Sequence, residues 1–318
     1  MQKFRKPNKF FSGGFNDQRH GDVFAEGSVT GARTLAPLDV QKHILAGLQG
    51  AEPFLVGRVG SIEGKLCAQI VLGNGEELTP SIRADAQACA GVFPTDDISL
   101  RRFAFEYISA MQQMDVSALF NFAGAAEIAE AFPVAHHCRL TDLSPFPTMT
   151  KTPQGTPEDP MVPWTRSLEG KRVLVVHPFE ETIRSQHARL RSIQSVADIM
   201  PDFELLTLKP PVTFLDTDLS NLVSFTYQLN ATRAKVAAMD FDVAIVSGGA
   251  YGLPIGAFIK AMGKKAIHMG GAGQLLFGIT GERWVNDRRF RNVIGENWVR
   301  PEEAASFVGK EKLAGTYW

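Results

Sequence analysis

The sequence predicts an α/β fold, a Rossmann-like, mostly parallel sheet with helices on both faces. Three observations carry that prediction. Short, almost uninterrupted apolar runs such as KRVLVVH (171–177), DVAIVSG (242–248) and KKAIHMG (264–270) alternate with amphipathic segments of helical length. A strand buried on both faces needs such a run, because neither of its sides meets water. Glycine clusters follow several of the runs directly, where a parallel strand turns into a crossover helix. An apolar content of 44% over 318 residues is enough for a full core.

Taken in order, residues 1–37 mix Lys, Gly, Phe and Asn without periodicity and read as an irregular extension or partner-binding arm. The main domain is expected over 38–295, in halves 38–140 and 164–295, with 296–318 as a C-terminal tail. A helix over 38–48 ends at Gly50, a strand follows at 54–59, and the next helix puts Ile62, Leu66 and Ile70 on one face. Helices are predicted at 81–92 and 96–114, the second opening on Thr95 or Asp96 as N-cap. A strand at 118–122, a helix at 125–131 and a strand at 134–140 complete the first half.

Pro145, Pro147, Pro153, Pro157, Pro160 and Pro163 then break up a polar stretch, so 141–163 joins the halves without a helix or central strand. The second half reads strand 171–177, helix 180–200, strand 203–209 and a long helix ending near Met239. Strand 242–248, helix 253–262 and strand 264–270 close it.

Thirty-three basic residues against 34 acidic ones give a net charge of −1, which excludes broad electrostatic binding to nucleic acid or anionic membrane. Any phosphate must be held locally. Cys67, Cys89 and Cys138 are odd in number and lack metal-ligand spacing, so neither a disulfide framework nor zinc is expected, and a reduced cytoplasm fits. No apolar run reaches the roughly 18 residues of a membrane span, which leaves at most peripheral membrane contact.

In a parallel sheet, ligands bind at the carboxyl ends of the strands. The unusual residues fall there: GRVGSIE (57–63), HPFEE (177–181), SGGAYG (247–252) and HMGGAGQ (268–274). Gly248, Gly249, Gly252, Gly270 and Gly271 either bare backbone amides for an anion or only make tight turns. His177 and His268 end two strands and are candidate catalytic groups, with structural histidines as the alternative. Glu63 opens a helix as a candidate general base or metal ligand, or as a simple complement to the helix dipole.

Arg58 and Arg283 are able to grip phosphate in a fork, and Tyr251 and Trp284 offer flat faces to a base or sugar. Gln186, on the apolar stripe Ile183, Leu190, Ile193 and Ala197, needs a polar partner, as does Gln274 in the first turn of the last helix.

The segments VGRVGSIE (56–63), LEGKRVLVVHPFEETIRSQ (168–186), FELLTLK (203–209) and the block 240–284 resemble a bacterial family of polysaccharide-biosynthesis proteins, the GT-D fold glycosyltransferases. The resemblance implies a uridine-linked (UDP) sugar donor and a glycan or glycolipid acceptor. Family members carry an Arg-x-Gly-Asp-x-Glu setting associated with a divalent metal, Mn2+ or Mg2+. Arg58, Gly60 and Glu63 match it, but Ser61 stands where the aspartate would be. Two other functions fit the same residues: a phosphoribohydrolase-like enzyme, since SGGAYG resembles that phosphate loop, and a non-catalytic nucleotide-sugar binding subunit.

Overall fold

A computed structural model of the chain describes residues 33–73, 77–119, 124–146, 155–313 and 316–318. Residues 1–32 of the expected N-terminal arm, 120–122 of the strand expected at 118–122, and 147–154 of the proline-rich connection lie outside them.

The first half contains β1 (Arg33–Thr34), α1 (Pro37–Gln49), β2 (Phe54–Val59), α2 (Ser61–Leu72), α3 (Pro80–Ala88), α4 (Asp97–Met111), β3 (Val116–Leu119), α5 (Ala125–Ala131) and β4 (His136–Arg139). The second contains β5 (Arg172–Val176), α6 (Glu180–Ala188), α7 (Gln194–Ala197), β6 (Glu204–Leu208), α8 (Phe225–Ala237), β7 (Val243–Val246), α9 (Gly252–Ala261), β8 (Lys265–His268) and α10 (Glu282–Val285). Local chemistry explains several boundaries. Pro37 opens α1, where its missing N–H costs nothing. The Asp96 carboxylate accepts from Ser99 N at 3.0 Å and caps α4.

The two halves form one sheet of order β1-β4-β3-β2-β8-β7-β5-β6, with every pairing parallel. They meet where β2 pairs with β8. Alternation along the strands sorts the core into two layers. Leu55, Leu174, Val176, Ala244 and Val246 pack against α2, α4, α8 and α9, while Val56, Val173, Val175, Val243 and Ile245 face α1, α6 and α7. No helix among the described residues is long and apolar enough to cross a membrane.

Three predicted helices are shorter than their sequence pattern. The helix expected at 81–92 stops at Ala88, ahead of Gly91 at φ +74°. That expected at 180–200 breaks at Arg189 into α6, a 3-10 turn (Leu190–Ser192) and α7. Leu190 and Ile193 stay buried through the break, so burial alone imitates a continuous helical stripe. The long helix before Met239 begins only at Phe225, and the loop between β6 and α8 brings Thr213 and Phe214 to the rim of the sheet.

Candidate functional site

The carboxyl ends of β2, β8, β7 and β5, four neighbours in the sheet, surround one cavity. Strand order reverses beside it: β5 has β6 on one side and β7 on the other, the crevice where such folds hold ligands. Of the residues singled out from sequence, Arg58, Gly60, Ser61, Glu63, His177, Gly248, Gly249, Tyr251, His268, Gly270, Gly271, Gln274 and Arg283 line it.

The lining carries two guanidinium groups, Arg58 and Arg283, and one carboxylate, Glu63. Burial lowers the Arg58 pKa, and the nearby charge of Arg283 lowers it further against the pull of Tyr317 and Glu63. Two cations lining one cavity favour an anion between them. Burial raises Glu63 above the ordinary carboxylate range, while a hydrogen bond from its own backbone and the Arg58 charge bring it part of the way back. The carboxyl folds over Gly60, where a Cβ would collide with it.

His177 Nδ1 accepts from Phe179 N at 2.9 Å, so the proton of the neutral ring sits on Nε2. Burial holds its pKa down to about 3. His268 is held to about 3 as well, by burial first and by Arg58 second. Both rings are therefore neutral hydrogen-bonding groups near pH 7 rather than strong bases. His177 Nε2, Ser247 Oγ and Gln274 Oε1 are buried without a hydrogen-bond partner among the described residues. Buried polar atoms are normally satisfied, and three such side chains lining one cavity mark a candidate ligand site.

The glycines divide by cause. Gly249 at φ +56° faces open space, so backbone conformation is the reason for glycine there. Gly270, at φ +55°, also lets Arg58 approach, since a Cβ would lie 2.6 Å from Nη1. Gly271 corrects the expectation of a bared phosphate loop: its missing Cβ makes room for the Tyr317 ring. Gly271→Ala should destabilise the fold by about 1–3 kcal/mol in chemical denaturation, because the ring and the chain behind it must shift. Gly252 does not line the cavity and serves His268, whose ring occupies the place of a Cβ.

Three aromatic or amide expectations are also corrected. Gln186 is a structural anchor, donating to the carbonyls of Phe277, Gly278 and Asn297 and accepting from Arg189 Nε. Trp284 is buried in the core beside Met269 and Phe290, away from the cavity. Tyr251 reaches the cavity wall but is buried, stacked on Phe225 at 4.2 Å with its hydroxyl 3.1 Å from Thr213 Oγ1.

Other lining residues come from segments that sequence reading left without chemistry. Tyr107 of α4 accepts from Gly60 N at 3.2 Å. The segment read as a tail closes one side of the cavity with Leu313, Tyr317 and Trp318, and the Tyr317 ring lies 5.7 Å from the Arg283 guanidinium. The same segment supplies Glu303, whose Oε1 accepts from Glu181 N (2.8 Å) and Thr182 N (3.0 Å). The first-turn amides of α6 are thus taken by the chain's own carboxylate, and HPFEE contributes His177 rather than an anion cradle. Glu303→Ala should cost about 1–2 kcal/mol and expose the C-terminal segment to limited proteolysis.

At the position where the resemblance implies a metal, the side-chain oxygens are those of Ser61 and Glu63, and Glu63 is turned back onto its own helix. No group of three His, Cys, Asp or Glu able to hold a metal occurs among the described residues. Mn2+ or Mg2+ needs about six oxygens, so a cation beside Glu63 would take most of them from a ligand's phosphates and from water. Comparisons with protein families, with curated proteins and with solved structures found no match to this chain.

Proposed function

We propose that the protein is a glycosyltransferase that moves a sugar from a nucleotide-diphosphate donor of the UDP class to a glycan or glycolipid acceptor. The observation that carries this reading is the convergence of two guanidiniums and three unsatisfied buried side chains at adjacent strand ends. Arg58 and Arg283 hold the diphosphate and stabilise it as leaving group, with His177 Nε2–H as a neutral donor beside them. The acceptor hydroxyl forms its bond to the anomeric carbon as the bond to the β-phosphate breaks. The electron pair leaves on the diphosphate, and the hydroxyl proton passes to Glu63. A carboxylate with a raised pKa suits that task better than imidazoles held to about 3.

Thermal shift with UDP and a panel of UDP-sugars, with and without EDTA or manganese, tests the reading. A rise in melting temperature that persists in EDTA is expected, followed by sugar transfer when acceptors are supplied. Release of uracil or ribose phosphate instead would favour the phosphoribohydrolase alternative. Binding without turnover under every acceptor would leave a sensing or assembly subunit.

A further inference from the structure

Gln274 is fully buried, lines the cavity, and has its two polar ends in different circumstances. Nε2 donates to the backbone carbonyls of Tyr317 at 3.0 Å and Ile279 at 3.4 Å. Carbonyls only accept, so the NH2 end must face them and the amide cannot turn over. Oε1 is thereby fixed on the other side, where no described group donates to it. Ser247 Oγ, packed against the neighbouring Gly273, is a second buried oxygen without a partner.

An ionised diphosphate has only acceptors to offer, and an acceptor cannot satisfy Gln274 Oε1. We propose that Gln274 is the specificity-determining residue of the cavity: its Oε1 accepts a hydrogen bond from a ligand hydroxyl while the arginines hold the anionic part. This rests on the nucleotide-sugar reading and deepens it, because it assigns the cavity to a hydroxyl-bearing phosphoester and against bare pyrophosphate. The Tyr317 carbonyl acts through Gln274 as a positioning group. The C-terminal segment thus sets the polarity that the ligand meets.

The hydroxyl belongs either to the ribose or to the transferred sugar, and the same experiment separates the two. The full chain is titrated calorimetrically with UDP, 2′-deoxy-UDP, 3′-deoxy-UDP, UDP-glucose and its deoxyglucose analogues, in wild type and Gln274→Met. Removing one particular hydroxyl should weaken wild-type binding about 10- to 100-fold and leave the variant nearly indifferent to the same removal. Sensitivity to deoxyribose places the contact on the nucleoside, and sensitivity to deoxyglucose places it on the sugar.

Equal losses in both proteins for every deoxy ligand would overturn the proposal. If Gln274→Met does not fold, the wild-type series decides alone, and no deoxygenation costing more than about threefold would overturn it. Pyrophosphate binding as tightly as UDP would also overturn it. Failure of UDP itself to bind removes the nucleotide reading and this inference together, whereas UDP binding without hydroxyl selectivity removes this inference alone.

Discussion

Replacing Arg58 with leucine should weaken UDP binding by about 100-fold, near 3 kcal/mol. Burial lowers the Arg58 pKa and Arg283 lowers it further, so its charge is disfavoured unless an anion lies beside it. An anion reverses the sign, because a desolvated guanidinium binds it with less competition from water. Gly270 contributes by leaving its Cβ position to the guanidinium. Calorimetry with UDP on this variant measures the loss, and unchanged affinity would put the diphosphate elsewhere.

Acid should unfold the protein steeply through its imidazoles. His177 and His268 are held to about 3 in the folded state, against roughly 6.5 in the unfolded chain. Between those values the unfolded state binds two protons that the folded state refuses, so stability is complete above about pH 6.5 and falls as pH drops. The slope from these two rings approaches 2.7 kcal/mol per pH unit, and two units remove about 5 kcal/mol, as much as a whole domain often has. His137 and His187, also lowered by burial, steepen the loss. Glu63 and Asp142, raised by burial, act in the opposite sense, since the folded state takes up their protons more readily than the unfolded chain. Urea midpoints from pH 7.5 to 4.5 check the slope, which His177→Asn should reduce by about 1.4 kcal/mol per unit. A flat profile would mean that the rings are not buried and neutral.

The sheet was legible because its strands have to be apolar on both faces. VLVV and VAIV have few alternatives once helices flank them, and the observed strands, Arg172–Val176 and Val243–Val246, lie inside the predicted runs. The rim was legible for a related reason, since glycine, histidine and arginine directly after such runs are poor core residues. What sequence pattern does not carry is a contact between distant segments. Nothing local distinguishes Tyr317 and Trp318 from any aromatic pair in a polar stretch, yet they wall the cavity. Gln186 looked like Gln274 by the same logic of a buried amide, and only the carbonyls of Phe277, Gly278 and Asn297 separate their roles. Gly271 answered to a ring 46 residues away rather than to a phosphate, a cause that only the folded chain displays.

The most direct test of a shared ligand rim is the 15N spectrum of histidine-labelled protein at pH 7, recorded with and without UDP. Neutral His177 and His268 are expected, the former with its proton on Nε2, with shifts on both rings when UDP is added while His43 and His187 stay in place. Charged rings at that pH, or UDP moving only histidines outside the cavity, would contradict it.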